Sequence, residues 1–402
     1  MKVDLNDTSA SAVASALVKA RIAAGSPAMG MVLTLIVVTD EARYYDAMRA
    51  SRVISREHPA RVLGVILRSK RGPASLDAQV RIGNDSAGES VILRMSGELT
   101  QHAESVVLPL LLPDSPVVAW WPGAAPKVPA QDPLGSLATR RITDAAAART
   151  RHAALVRVAR AYHAGDTDLA WTRLTPWRAL LAAALDQVEL MITSATVAAE
   201  RGNPSADLLV AWLEARLKVP VQHATSRGPG ITEVRLHSTI GDVAVVRHDG
   251  RNGRFIVPGE ADRSVGLKRR STAELLAEDL RRLDEDDVYA ETVQRLLRRE
   301  DRGGRSSKTS GRPKPSVEAA AAVAEPDADK RAADKKPAAK QAATKRATPA
   351  KKAATKKATP AKKNAAKKAA PAKKTATKKA ATKKTSAARA TTTTTTRRTD
   401  SR

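Results

Sequence analysis

Two uninterrupted apolar runs near the start of the chain constrain the fold more than any other feature of this sequence. They are MVLTLIVV at residues 31–38 and RVLGVIL at 61–67. Runs that are rich in β-branched residues and lack polar alternation are typical of strands buried on both faces. The residues between them, about 41–51, fit one short helix. Strand, helix and strand form a βαβ unit, so we expect the two strands to be parallel neighbours.

The other patterns in this half extend the unit into an α/β domain with a mixed sheet, predicted to cover residues 1–130. The further elements are a helix capped by Thr8 or Ser9, an antiparallel hairpin of strands 76–82 and 89–98 around a turn at 83–85, a helix at 101–111 and a strand at 116–121.

A second α/β domain with a mixed sheet is predicted over residues 131–302. Its helices are predicted at 144–162, from Pro176 onward, at 203–217, at 271–283 and at 287–299, and its strands at 189–197, 231–237, 243–247 and 254–257. Ser271 and Glu274 have the spacing of a capping box at the start of one of these helices. We expect order to end near Asp301.

Residues 303–402 have a different composition and are predicted to be a disordered basic tail. They carry 29 Lys and Arg against 6 Asp and Glu, and they contain no Leu, Ile, Met or aromatic residue. Such a segment cannot form a core. Lysine pairs on a flexible chain neutralise phosphates without reading bases, so the tail either binds nucleic acid or another polyanion non-specifically or serves only for solubility.

Several kinds of chemistry are excluded or disfavoured by what the sequence lacks. There is no cysteine, hence no disulfide or thiolate metal site. No GxGxxG follows a predicted strand and no P-loop is present, so we expect no cofactor. The histidines are scattered without carboxylates at ligand spacing, which disfavours a metal site. The longest apolar run, 106–112, is too short to span a bilayer; together with the absence of a secretory signal pattern, this predicts a cytoplasmic protein without membrane contact.

The stretch GDTDLAWTRLTPWRALLAAALDQ at 165–187 is the least ordinary part of the chain. Its first four residues are predicted to form a turn, and Thr175 and Pro176 to begin a helix whose buried stripe ends at residue 188. Charged residues therefore surround two indoles, and WWPG at 120–123 places two more at the end of a strand. Each indole either packs in the core or contacts a partner. The candidate partner contacts are Trp120, Trp121, Asp168, Trp171, Arg173, Trp177 and Arg178.

Four segments resemble the glucose-6-phosphate dehydrogenase assembly protein family, OpcA. They are EHPARV at 57–62, VVLPLLLPDSPVVAWWPG at 106–123, RRITDAA at 140–146 and GDTDLAWTRLTPWRALLAA at 165–183. The resemblance covers about residues 1–300. It implies a non-catalytic partner that promotes assembly or activation of the oligomeric dehydrogenase.

Two other functions remain open at this point. A nucleoid-associated protein that binds DNA through the basic tail is the main alternative, because the tail resembles those of linker histones. An enzyme acting on a sugar nucleotide or a phosphosugar is the third.

Overall fold

In the computed structural model of the protein, the described residues are 1–25, 30–83, 88–187, 190–247 and 249–309, without the side chains of 187 and 303–309. Four sequence predictions fall partly outside them: residues 84 and 85 of the hairpin turn, position 188 of the buried helix stripe, residue 189 of the strand predicted at 189–197 and residues 310–402 of the basic tail.

Eight strands form the first sheet in the described part of the chain. They are β1 (Lys2–Leu5), β2 (Leu33–Thr39), β3 (Ala60–Leu67), β4 (Ser75–Ile82), β5 (Gly88–Ser96), β6 (Val117–Trp120), β7 (Arg140–Thr143) and β8 (Asp166–Asp168). Their order across the sheet is β1-β4-β5-β3-β2-β6-β7-β8. The βαβ prediction is confirmed, since β2 and β3 pair in parallel with Leu35 opposite Val62. The predicted hairpin is confirmed as well, because β4 and β5 pair antiparallel.

Helices cover both faces of this sheet, which explains why its central strands are apolar without alternation. On one face lie α1 (Ala10–Ala23) and α3 (Ala103–Val107), and on the other lies α2 (Tyr44–Glu57). The Ser9 hydroxyl caps α1 as predicted and accepts a hydrogen bond of 3.3 Å from the Ala12 amide. The first sheet is therefore mixed and buried, as the sequence predicted.

Some boundaries differ from the predictions for identifiable reasons. The helix predicted at 101–111 is limited to α3, and a 3-10 turn at Leu108–Leu110 follows because Pro109 cannot continue an α-helix. The helix predicted to begin at 144 begins later, as α4 (Arg151–Arg160), since Asp144 caps a separate 3-10 turn. The predicted turn at 165–168 is wrong, because most of it forms β8.

Six strands form the second sheet in the described residues. They are β9 (Ile192–Ala199), β10 (Val221–Thr225), β11 (Ile231–Ser238), β12 (Val243–Val246), β13 (Asn252–Ile256) and β14 (Arg263–Gly266), in the order β10-β9-β11-β12-β13-β14. Only β9 and β10 pair in parallel; the other neighbours are antiparallel. Besides α4, the helices described in this half are α5 (Leu169–Thr172), α6 (Thr175–Gln187), α7 (Pro204–Leu217), α8 (Thr272–Asp279) and α9 (Asp287–Thr309).

The second half of the chain returns to the first sheet. Helix α8, which begins with the predicted capping box of Ser271 and Glu274, buries Leu275 and Leu276 in the same core cluster as α2. His58, at the end of α2, bonds through Nε2 to the Ala277 carbonyl at 3.0 Å. Strands β7 and β8 of the first sheet also lie beyond residue 130, and the described residues belong to one compact unit. The division into 1–130 and 131–302 stays a prediction.

Candidate functional site

The stretch at 165–187 connects the edge of the first sheet to the core of the second sheet. Strand β8 ends at Asp168, α5 follows at once, and α6 begins three residues after α5 ends. Leu169 packs in the core beside β2 and α2, whereas Trp171 and Trp177 pack with α7 and the second sheet. We call Asp144, Asp168, Trp171, Arg173 and Arg178 the charged junction.

Asp168 is fully buried, and three neighbours donate hydrogen bonds to its carboxylate. Its Oδ1 accepts from the Ala170 amide at 2.8 Å, which caps α5. Its Oδ2 accepts from the Thr143 hydroxyl at 2.6 Å and from the Ala145 amide at 2.9 Å. Burial, followed by the nearby charge of Asp144, raises the pKa of Asp168 to about 6, although the hydrogen bonds oppose the shift. Asp168 therefore joins the end of β7 to the start of α5.

Arg173 and Asp144 form a two-bond ion pair beside this carboxylate. Arg173 donates from Nη1 to Oδ1 at 2.8 Å and from Nη2 to Oδ2 at 3.0 Å, the geometry in which a guanidinium binds a carboxylate best. Burial alone would lower the pKa of Arg173, but its bond to Asp144 and the two nearby carboxylate charges raise it. Asp168 and Arg173 therefore both contribute to stability, because each bonds to a buried partner.

Trp171 links the charged junction to α9. Its Nε1 donates to Asp286 Oδ2 at 2.8 Å, and the Arg178 guanidinium carbon lies 3.7 Å from the centre of its ring. Burial lowers the pKa of Arg178 to about 10. Asp286 also accepts from the Tyr289 amide at 2.9 Å and so caps α9. A carboxylate at the start of a helix also complements the helix dipole.

None of the four candidate indoles lies at the surface. Trp120 and Trp121 point to opposite faces of the first sheet, as strand geometry predicts, but their exposed fractions are only 1% and 2%. Of the two alternatives left open for these indoles, the structure shows packing in the core, because β6 lies between β2 and β7 with covered faces. Trp171 and Trp177 are buried to the same extent.

Of the seven candidate contacts, only Arg173 and Arg178 are partly exposed. Core packing therefore accounts for the indoles and for Asp168, whereas Arg173 and Arg178 reach both a buried partner and solvent.

A basic cavity next to the charged junction was missed from the sequence. Its volume is about 270 Å³, and it lies between the start of α7 and the segment that precedes α8. The run LKRR at 267–270 was the available signal. Its other cations come from distant parts of the chain, which no local pattern could bring together.

His152 is the described histidine with the most acidic surroundings. His152 Nδ1 lies 2.9 Å from Asp207, and its Nε2 lies 3.3 Å from Glu300, so it connects α4, α7 and α9. The bond to Asp207 is the main reason that its pKa rises to about 9. Among the described residues, no group of three or more His, Asp or Glu side chains is placed to hold a metal ion. No helix in the described ranges is long and apolar enough to cross a membrane.

Two family models match the parts of the chain that build both sheets. Residues 51–160 match the model described as the glucose-6-phosphate dehydrogenase subunit N-terminal domain, and residues 164–293 match the model of its C-terminal domain. The chain belongs to the OpcA family of glucose-6-phosphate dehydrogenase assembly subunits. The resemblance inferred from the four sequence segments is confirmed. The OpcA match includes the whole charged junction, from Asp144 to Arg178, apart from three residues between the two models.

Other comparisons add little to the OpcA assignment. Comparison with curated protein sequences gave no match. Among solved structures, an oxidoreductase from Sinorhizobium meliloti is 11% identical, with 69% of this chain and 90% of that chain covered and a TM-score of 0.33. A structure titled trehalose-6-phosphate from E. coli bound with UDP-2-fluoro glucose is 13% identical, with 48% and 65% covered and a TM-score of 0.21.

Proposed function

We propose that this protein is a non-catalytic assembly factor that binds glucose-6-phosphate dehydrogenase in the cytoplasm and favours its active oligomer. The observation that carries the proposal is the pair of family matches at 51–160 and 164–293, which name the dehydrogenase. An assembly factor shifts an oligomer equilibrium only if it binds one state better than the other. It therefore needs a surface of fixed shape.

The buried contacts of the charged junction support such a surface. Asp168, with its three donors, and Trp171, with its bond to Asp286, fix where α5 and α6 leave the first sheet. Arg173 and Arg178 are then held at the edge of the core with part of each side chain in solvent. We assign these two arginines as the contacts with the dehydrogenase, and Trp120, Trp121, Asp168, Trp171 and Trp177 as the buried groups that position them.

The test is a titration of purified dehydrogenase with the full chain and with a chain ending at Thr309, followed by its activity. Equal activation by both chains is expected, because the family matches end at residue 293. Arg178→Ala should raise the midpoint of the titration roughly tenfold, the effect of losing an interface arginine worth more than about 1 kcal/mol. Arg254→Ala, a surface variant on β13 of the second sheet, is the control.

Two results would separate the parts of this proposal. Turnover of substrate by this chain alone would contradict a non-catalytic role and favour the enzyme alternative. If folded Arg173→Ala and Arg178→Ala proteins both activate like the Arg254→Ala control, the assignment of contacts fails while the assembly role stands.

A second function rests on the charge of residues 303–402, with 29 basic against 6 acidic side chains. We propose that this segment binds nucleic acid or another polyanion non-specifically. With roughly 6 to 10 phosphate contacts, DNA affinity should fall by about 10³ to 10⁵ between 50 and 200 mM salt. Binding that ignores salt, or that survives truncation at Thr309, would contradict it.

A further inference from the structure

The basic cavity beside the charged junction has an unusual excess of positive charge. Its lining includes the start of α7 and residues 268–270. Glu200 is the one acidic residue among the described residues that line it, against six cations. The cations are Arg151, Arg173, Arg247, Lys268, Arg269 and Arg270.

Four of these six cations are neutralised by carboxylates, and two are not. Arg151 pairs with Glu200, Arg173 with Asp144, Lys268 with Glu274 and Arg270 with Glu278. In contrast, Arg247 and Arg269 have no carboxylate within 4.0 Å in the described part of the chain. The cavity therefore contains two guanidinium groups without a directly paired carboxylate among the described residues; the charge of Asp249 acts on Arg247 only from beyond 4.0 Å.

Arg247 is stronger evidence for an anion site than Arg269, because its side chain is buried. Its exposed fraction is 7%, and its guanidinium donates 3.0 Å bonds to the carbonyls of Leu267 and Ile231. Its Nε is buried and has no partner among the described residues. Burial, followed by the positive charge of Arg269, lowers the pKa of Arg247 to about 10. Removing one partner of a buried charge pair is costly, so an anion from outside the chain would stabilise this group.

The two unpaired guanidinium groups converge on the same wall of the cavity. Gly230 has a φ of +72°, and a Cβ placed on it would lie 3.0 Å from Arg269 Nη2 and 3.6 Å from Arg247 Nη2. A side chain at this position would therefore crowd Arg269 and would lie in van der Waals contact with Arg247. The glycine leaves the space in which two planar guanidinium groups can approach one ligand.

The start of α7, which also lines the cavity, supplies neutral hydrogen-bond donors. Asn203 caps this helix of 14 residues, and Ser205 lies in its first turn at the cavity wall. The Ser205 hydroxyl forms no hydrogen bond within the described residues. A helix start carries a partial positive charge and favours anions. At this cavity, the start of α7 acts together with the buried Arg247.

We infer that this cavity binds the phosphate group of a small phosphorylated metabolite, with Arg247 and Arg269 as its main ligands and Ser205 as a further donor. Guanidinium groups match the geometry of phosphate oxygens and form charge-assisted bonds to them. The volume of about 270 Å³ is just below the range of roughly 300 to 1,000 Å³ typical of ligand sites. It suits a phosphate monoester of the size of a sugar phosphate and is too small for a dinucleotide.

This inference does not depend on the assembly role, because binding is measured on the isolated full-length chain. Trp177 provides the readout: it lines the cavity, and the Arg247 guanidinium carbon lies 5.0 Å from its ring centre. A ligand that draws Arg247 away changes the environment of this indole. Residues 303–402 contain no tryptophan, so phosphate bound by their lysines gives no such signal directly.

The experiment titrates the protein with inorganic phosphate, a hexose phosphate and the unphosphorylated hexose at constant ionic strength. Tryptophan fluorescence and calorimetry are recorded together. We expect saturable binding of both phosphorylated probes and none of the free hexose. Equal affinities would identify phosphate alone as the ligand, whereas tighter binding of the hexose phosphate would place its sugar in the cavity. Both results support the site.

Matched variants localise the binding. Arg269→Ala, an exposed substitution that should not affect folding, is expected to weaken phosphate binding at least about 10-fold, as loss of a charge-assisted bond predicts. Arg254→Ala is the control and should bind like the unaltered protein. Trp177→Phe should keep the calorimetric binding and lose the fluorescence change. The site is contradicted if the unaltered protein shows no saturable change, or if Arg269→Ala binds phosphate as tightly as the control.

Discussion

Arg173 holds Asp144 through two parallel hydrogen bonds of 2.8 and 3.0 Å. Asp144 is buried, and the carboxylate of Asp168, whose pKa is raised partly by Asp144, lies close to it. One partly exposed arginine therefore compensates the charge of a carboxylate pair at the end of the first sheet.

Removing this arginine should destabilise the fold. Arg173→Ala leaves Asp144 buried without its cation, and we expect the free energy of unfolding to fall by about 2 to 4 kcal/mol, somewhat below the range for fully buried pairs because Arg173 is partly exposed. Urea denaturation measures the change. Arg254→Ala, which removes an exposed pair with Asp262, should cost less than about 1 kcal/mol. Similar losses in the two variants would contradict the role assigned to Arg173.

The raised pKa of Asp168 predicts a dependence of stability on pH. Its folded-state pKa is about 6, against an ordinary value of 3.8. Between pH 4 and 6 the folded protein keeps a proton that the unfolded chain has released, so the contribution of this group to stability falls as the pH rises. The full change is up to about 3 kcal/mol. The difference in unfolding free energy between the unaltered protein and Asp168→Asn should decrease across this window; a constant difference would be inconsistent with a raised pKa.

The bond from Trp171 to Asp286 can be separated from the bulk of the indole. Trp171→Phe removes this 2.8 Å bond and part of the stacking with Arg178, and should cost about 1 to 3 kcal/mol more than Trp120→Phe. Trp120 is a suitable control because its indole is equally buried but its Nε1 has no partner among the described residues. Thermal or urea unfolding of the two variants measures this difference in stability. Equal losses would mean that the bond to Asp286 contributes nothing.

The raised pKa of His152 predicts a second dependence of stability on pH. Folding here favours the charged form of the side chain, whereas at Asp168 it favours the neutral form. Asp207 and Glu300 raise its pKa from 6.5 to about 9, and Asp207 also lies 3.4 Å from His223. The charged imidazole is stabilised by folding, so its contribution is fully present below pH 6.5 and is lost as the pH rises to about 9. His152→Gln should therefore reduce the loss of stability between pH 7 and 9. His163→Gln, whose ring bonds to the Ala161 carbonyl, is the control and should leave the pH profile unchanged.

The parts of the fold that were predictable are those specified by local patterns. The runs at 31–38 and 61–67 predicted parallel strands, because apolar runs rich in β-branched residues are typical of buried strands. Ser9 and Ser271 predicted helix starts, because a capping side chain bonds to residues near it in the sequence. In contrast, β7 and β8 were missed because their sequences, RRIT and DTD, are polar. They are buried only because distant partners satisfy them.

In the candidate site too, features specified by local sequence were predictable and features that depend on distant partners were not. The unusual composition of 165–187 was visible, and the resemblance to the assembly family was correct. The burial of its charges was not visible, since their partners are distant in sequence: Asp168 bonds to Thr143 at a separation of 25 residues and Arg173 to Asp144 at 29, while Trp171 bonds to Asp286 at 115. From local sequence patterns alone, such charged residues are predicted to lie at the surface. Only the folded chain shows that Asp168 is a core residue and that the cations of the cavity meet.

The proposed assembly of glucose-6-phosphate dehydrogenase by this chain can be measured on the oligomeric state of the enzyme itself. The measurement is sedimentation velocity of the dehydrogenase at fixed concentration, with increasing amounts of this protein. We expect a complex containing both proteins and a shift of the dehydrogenase to a larger oligomer, with enzyme activity rising over the same concentration range. Independent sedimentation of the two proteins, with the oligomer distribution and activity of the dehydrogenase unchanged, would contradict it.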